Sequence, residues 1–115
     1  MPRDYGLYLE DIIEAVDRIH DYIQGMDEMG FSSDRKTQDA VIRNLEIIGE
    51  AARNLPDSLR AEDAEIEWRK IVGLRNILAH EYFGISVPIV WDIAQNKLRH
   101  LRDVCARLLT QMEND

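Results

Sequence analysis

The stretch DIIEAVDRIHDYIQGM, residues 11–26, decides the fold class, because its apolar residues recur at the period of an α-helix. Its apolar stripe, with steps of 4, 3, 4 and 3 residues, is Ile12, Val16, Ile19, Ile23 and Met26. Such steps place side chains on one face of a helix that turns about 100° per residue. The pattern predicts a first amphipathic helix from about Asp4 to Met29, with Gly30 as its C-terminal stop.

Helical spacing continues along the rest of the chain. We predict three further helices, over about Ser33–Leu55, Glu67–His80 and Ser86–Met112, with capping residues at Ser32, Ser33 and Asp34 and room for one helical turn in the connector 56–67. Four principal helices with short links are typical of an all-α protein, an antiparallel up-and-down four-helix bundle with a short extra helix. A chain of 115 residues suits a single domain, 1–115, with one core.

The last predicted helix has two neighbouring apolar stripes. The first is Val90, Ala94, Leu101, Val104 and Leu108, interrupted by Lys97, and the second is Trp91, Leu98, Cys105 and Leu109. Two stripes exceed what one bundle core needs, so the second predicts a face for self-association.

Charge is divided unevenly along the chain, whose net charge is −8. Residues 1–67 carry 7 Lys and Arg against 17 Asp and Glu, a net charge of −10, whereas residues 68–115 carry 7 against 5, a net charge of +2. The overall sign is unfavourable for a general nucleic-acid-binding protein. An anionic ligand is therefore expected to bind near residues 68–107 only.

Several functional classes are excluded on composition. The single cysteine, Cys105, allows neither a disulfide framework nor a cysteine zinc site, and is expected to be a small buried hydrophobe. The run of acids and imidazole Asp17, His20 and Asp21 is expected to be a solvated helix face rather than a metal site. We expect no cofactor. We also expect no membrane-spanning segment, since the longest uncharged run, residues 82–91, is too short to cross a bilayer. A cytoplasmic location is expected because residues 1–12 lack signal-peptide architecture.

The segment WRKIVGLRNILAHEYFGI, residues 68–85, carries four groups with chemistry in the last turns of the third predicted helix: Arg75, Asn76, His80 and Tyr82. Asn76 and His80 are four residues apart and share a helix face. Cleavage of RNA by its own 2′-hydroxyl needs a base, an acid and a cation. An imidazole can fill either proton role near neutral pH, and a guanidinium binds phosphate through two parallel N–H groups.

A structural interpretation of the same residues stays open on the residues alone. A histidine at a helix end can act as a cap, and Arg75 can pair with Glu50 on the second helix. His100, in the basic run KLRHLRD, residues 97–103, is expected to be solvated, with contact to RNA as the alternative.

The Arg75, Asn76, His80 and Tyr82 pattern, together with LEIIGEAARNLP at residues 45–56, resembles the HepT toxin family of the HEPN superfamily, and the resemblance covers nearly the whole chain. It implies a single HEPN domain that forms a homodimer, with the motifs of two chains facing one cleft. It implies a metal-independent endoribonuclease, the toxin of a toxin–antitoxin pair, in which Arg75 binds the scissile phosphate, His80 transfers protons and Asn76 orients or hydrogen-bonds. The implied partner is an MNT-type minimal nucleotidyltransferase, which neutralises the toxin, and the implied point of AMP transfer from ATP is Tyr82.

A second hypothesis follows from the acidic net charge. The chain is then a non-catalytic dimer with a nucleotide-binding or regulatory role. It serves as the scaffold and the substrate of the nucleotidyltransferase. A third hypothesis is a purely structural helical dimer, in which replacing Arg75 changes stability but no activity.

Overall fold

The computed structural model describes residues 4–62, 65–73 and 87–114. Six α-helices lie in these ranges: α1 (Asp4–Ile23), α2 (Glu28–Ser32), α3 (Arg35–Arg53), α4 (Asp57–Arg60), α5 (Val87–Asp92) and α6 (Arg99–Glu113). Residues 68–73 are also helical, and a π-helical turn, Ile93–Lys97, links α5 to α6. The described residues contain no strand, so the predicted all-α class is confirmed. The up-and-down four-helix arrangement stays a prediction, because the third long helix is described only over residues 68–73.

The apolar stripe that predicts α1 forms the centre of the core. Ile12, Val16 and Ile19 are fully buried, and α1 packs against both α3 and α6. From α3, Val41, Leu45 and Ile48 meet this face with no exposed surface. Burial of such side chains contributes roughly 1.5–3 kcal/mol each before the entropy of ordering is subtracted.

The predicted end of the first helix at Gly30 is wrong. α1 ends at Ile23, and Gly25 has a φ of 79°, a left-handed conformation that glycine adopts without steric cost. A new helix, α2, then begins, because the Asp27 carboxylate accepts a hydrogen bond from the Gly30 N–H at 2.8 Å. Gly30 therefore lies inside α2 rather than after α1.

The predicted capping at the start of the second long helix is confirmed at Asp34. Its carboxylate accepts hydrogen bonds from the Thr37 N–H at 3.0 Å and the Thr37 hydroxyl at 2.8 Å. The first of these bonds is the main reason why the pKa of Asp34 lies below its usual value. α3 then runs to Arg53, and the predicted short turn in the connector is α4.

The second apolar stripe of the last helix does not face outwards. Trp91, Leu98 and Cys105 are each at most 8% exposed within this one chain, and Leu109 is partly buried against the same core. Both stripes merge into one broad buried face, so the inference of a self-association surface from the second stripe is wrong. Burial also raises the pKa of the Cys105 thiol to about 12.

An ion pair joins the last helix to the first. The Arg102 guanidinium donates from Nε to Asp17 Oδ1 at 2.6 Å and from Nη2 to Asp17 Oδ2 at 3.1 Å, connecting α6 to α1. These hydrogen bonds lower the pKa of Asp17 and raise that of Arg102. In the ranges that the structure covers, no helix has both the length and the apolar composition to traverse a bilayer.

Candidate active site

The four motif residues predicted to carry the chemistry, Arg75, Asn76, His80 and Tyr82, lie outside the described residues. Their side-chain geometry therefore stays a prediction. Described residues do lie on both sides of them, in the helical residues 68–73 before the motif and in α5 after it. These flanks determine where the chain enters and leaves the motif segment.

The N-terminal flank is anchored in the core. Ile66 and Trp68 are each 8% exposed, and Ile71 and Val72 are partly buried against the same cluster. On the outer side, the Lys70 ammonium lies 2.6 Å from a Glu67 carboxylate oxygen, one helical turn away. This contact is the main reason why the pKa of Glu67 is lowered. The chain thus enters the motif from a helix with one face held by packing.

The C-terminal flank is anchored by aromatic contact. Val90 and Trp91 of α5 are buried, and the Trp91 ring lies 5.3 Å from the Phe31 ring of α2, tilted by 39°. Tilted rings at this separation attract beyond the burial of their area. Phe31 is itself fully buried, so α2 supports the place where the chain leaves the motif segment.

A concave surface, which we call the flanking groove, lies between the N-terminal flank and the start of α6. It encloses about 370 Å³. Its lining residues are Glu65, Ile66, Glu67, Lys70, Ile71, Ile93, Lys97, Leu98, His100 and Leu101. Aliphatic side chains form its floor and charged side chains its rim, a composition typical of small-ligand sites.

The rim of the flanking groove carries both signs of charge. The His100 Nε2 lies 3.4 Å from a Glu65 carboxylate oxygen, and both side chains are more than half exposed. His100 is thus exposed, as predicted, and the alternative of contact with RNA stays a prediction. Lys97 lies in the π-helical turn and its charge also lowers the pKa of Glu67. Sequence reasoning missed this groove, although Lys97 interrupting the apolar stripe was a signal for it.

The acidic face of α1 has a structural role. Asp17, expected to be solvated beside His20 and Asp21, is bound by Arg102 through both carboxylate oxygens. Across the described residues, no group of three or more His, Cys, Asp and Glu side chains is arranged to hold a metal ion.

Comparison with known families gives a match over most of the chain. The profile of a family described as "Ribonuclease HepT-like" matches residues 12–108. This span begins in α1, ends in α6 and includes all four motif residues.

Individual relatives carry names of the same kind. A protein of Thermococcus cleftensis named "Probable ribonuclease HepT" is 40% identical over 102 residues, which are 89% of this chain and 93% of that protein. Two proteins of Methanocaldococcus jannaschii are each named "Putative RNase". The first is 43% identical over 85% of this chain and 82% of its own length. The second is 36% identical over 87% of this chain and 92% of its own length. No solved structure matches the chain.

Proposed function

The chain belongs to the HepT-like ribonuclease family, and from that premise we propose that it is an RNA-cleaving toxin. The observation that carries the proposal is the position of the family match, because residues 12–108 contain the whole motif from Arg75 to Tyr82. The charge division supports it, since the motif lies in the half of the chain with a net charge of +2.

The proposed reaction is attack of the ribose 2′ oxygen on the adjacent phosphorus, with departure of the 5′ oxygen of the next nucleotide and formation of a 2′,3′-cyclic phosphate. His80 takes the 2′ proton or returns a proton to the leaving oxygen. Arg75 neutralises the negative charge that develops on the phosphoryl oxygens, and Asn76 orients the reacting groups by hydrogen bonding. Every role is filled by a side chain, so the proposed mechanism is independent of metal ions.

The proposed assembly is a homodimer. One chain supplies one His and one Arg in the motif, whereas the reaction needs both a base and an acid. Two motifs facing a shared cleft supply two imidazoles and two guanidinium groups. A composite cleft of this kind exists only in the dimer.

The proposed regulator is an MNT-type minimal nucleotidyltransferase acting as antitoxin. It transfers AMP from ATP to the Tyr82 hydroxyl, forming a phosphodiester with release of pyrophosphate. The added group places a negative charge and a nucleotide's bulk two residues from His80 in sequence, where both oppose phosphate binding.

The activity is tested by incubating the purified protein with tRNA and mRNA in the presence of a metal chelator. We expect cleavage with chelator at the same rate as with added Mg²⁺, and products that end in a cyclic phosphate. Denaturing gels and mass spectrometry of the fragments measure both. Absence of cleavage at every protein-to-RNA ratio contradicts the proposal.

That negative result would favour the second candidate, a non-catalytic scaffold and substrate of the nucleotidyltransferase. Its supporting observation is the net charge of −8, which is unfavourable for binding RNA.

The regulatory proposal predicts modification at Tyr82. After incubation with the nucleotidyltransferase and ATP, intact-protein mass spectrometry should show the mass of one added AMP, and peptide mapping should place it on Tyr82. Tyr82→Phe removes the acceptor oxygen, so it should abolish the addition, whereas the control Tyr22→Phe, at an exposed tyrosine of α1, should not. AMP addition that persists in Tyr82→Phe refutes the assignment.

A further inference from the structure

The flanking groove has the dimensions and the floor of a ligand site. Its volume, about 370 Å³, falls in the range of about 300–1,000 Å³ common for small-molecule pockets. Ile66, Leu98 and Leu101 are buried at its base. Such a floor favours a flat apolar group, and the faces of a nucleobase are flat and weakly hydrated.

The rim supplies partners for the rest of a nucleotide. Lys70 and Lys97 carry ammonium groups, which bind phosphate as point charges. The carboxylates of Glu65 and Glu67 can accept hydrogen bonds from an exocyclic amino group, as acidic side chains do from the N4 of cytosine. Lys70 already contacts Glu67, so a phosphate bound at Lys70 must compete with that carboxylate, and Lys97 is the cation that the test below removes.

The position of the groove connects it with the motif. Ile71 lines the groove and precedes Arg75 by four residues, so fully extended chain limits the separation of their Cα atoms to about 14 Å. Stacked nucleotides advance about 3.4 Å each along one strand, so this limit corresponds to about four nucleotides. The lining also includes Ile93 and Lys97, the first and last residues of the π-helical turn, a distortion frequent at functional sites.

We propose that the flanking groove is a nucleotide subsite, which binds one unpaired nucleotide of the RNA within about four nucleotides of the cleavage site. The base lies on the aliphatic floor and the phosphate is bound by Lys97 and Lys70. This inference rests on the proposed ribonuclease function. Single-stranded RNA suits the site, because its unstacked bases can turn out of the strand into a pocket.

A second concavity provides a contrast. It encloses about 360 Å³ between α1 and α3, and the charged residues in its lining are Asp11, Arg43, Glu46 and Glu50. Three carboxylates against one guanidinium repel a phosphate chain. The flanking groove balances two lysines against Glu65 and Glu67, so it repels a phosphate chain less.

The test measures RNA binding in the His80→Ala background, where cleavage does not consume the probe. The probe is a fluorescently labelled single-stranded oligoribonucleotide, titrated between 50 and 200 mM salt. Six to ten phosphate contacts together lose about 10³–10⁵ in affinity over this range, so each contact accounts for about a threefold fall between the two salt concentrations. We expect Lys97→Ala to weaken binding at 50 mM salt, to make the fall in affinity between 50 and 200 mM about threefold smaller, and to reduce the slope of log K against log salt by about 0.7. Lys97→Glu should weaken binding more than Lys97→Ala does, because it also adds a repulsive charge.

Lys36→Ala is the matched control, since Lys36 is exposed in the first turn of α3 and does not line the groove. It should leave both the affinity and the salt slope unchanged. Equal values for the Lys97 and Lys36 variants overturn the inference. Loss of nucleotidyltransferase binding in Lys97→Glu, with RNA binding intact, also overturns it and makes the groove a protein-docking surface. If the wild-type chain cleaves RNA and Lys97→Ala binds RNA normally, only the subsite fails; if the wild-type chain does not cleave RNA, the proposed function fails first.

Discussion

Replacing His80 by alanine is expected to lower the rate of RNA cleavage by a factor of about 10²–10⁴, the size of one general acid–base contribution. In a homodimer the change removes both imidazoles of the composite cleft, so the loss should lie at the upper end of this range. The same variant should no longer arrest growth when it is expressed without the proposed antitoxin. Cleavage rates on a defined RNA and colony counts after induction measure the two effects.

The control for His80→Ala is His20→Ala, which removes an imidazole from α1. It should cleave RNA at the wild-type rate. Circular dichroism and sedimentation should show that His80→Ala keeps the helical content and the assembly of the unmodified protein. Full cleavage and full toxicity in a folded His80→Ala variant would exclude the catalytic assignment.

Replacing Phe31 by alanine is expected to reduce the free energy of unfolding by about 3–5 kcal/mol, the cost of emptying a fully buried aromatic site. Phe31 has no exposed surface, and it contacts Trp91, which anchors the chain just after the motif segment. A single domain has a total stability of about 5–15 kcal/mol, so this loss is a large share of it. Urea unfolding followed by circular dichroism measures the change.

Met29→Ala is the matched control on the same helix, because Met29 is 78% exposed. Its free energy of unfolding should change by less than about 0.5 kcal/mol. If Phe31→Ala does not fold, Phe31→Leu, with an expected cost of about 1–1.5 kcal/mol, provides the measurement. Equal stabilities for the Phe31 and Met29 variants would contradict the role of α2 as an anchor.

The long helices could be predicted from sequence because the apolar residues at helical spacing are also the residues buried in the core. Ile12, Val16 and Ile19 recur at helical spacing, and all three are fully buried. Asp34 was predictable as a cap because its carboxylate satisfies the free N–H groups that every helix start exposes. Spacing and capping are local properties, so one sequence is enough to detect them.

The break between α1 and α2 could not be located from spacing. Met26 follows Ile23 at the same helical spacing, so the apolar pattern gives no sign of the turn at Gly25. Two local features end α1 early. The Asp27 side chain stabilises the start of a new helix, and Gly25 adopts the left-handed conformation of the turn before it. Both Gly25 and Gly30 fit a helix stop on composition.

The burial of the second apolar stripe of the last helix could not be predicted from sequence either. Whether Trp91 and Leu98 face a partner or the chain's own core depends on where α1 and α2 pack, which spacing does not encode. For the motif, sequence identifies the residue types and the family, and the family match is confirmed. Whether the Arg75 and His80 side chains approach one another is a tertiary property, which a sequence does not encode locally and which mutagenesis tests.

The burial of Cys105 makes the chain convenient for spectroscopy. It is the only cysteine in the sequence, it has no exposed surface, and its thiol pKa of about 12 keeps it protonated at neutral pH. Since the thiolate is the reactive species, maleimide and iodoacetamide dyes should not react with Cys105 while the protein is folded. A cysteine introduced at a surface position would therefore carry a single fluorophore or spin label without prior removal of the natural one.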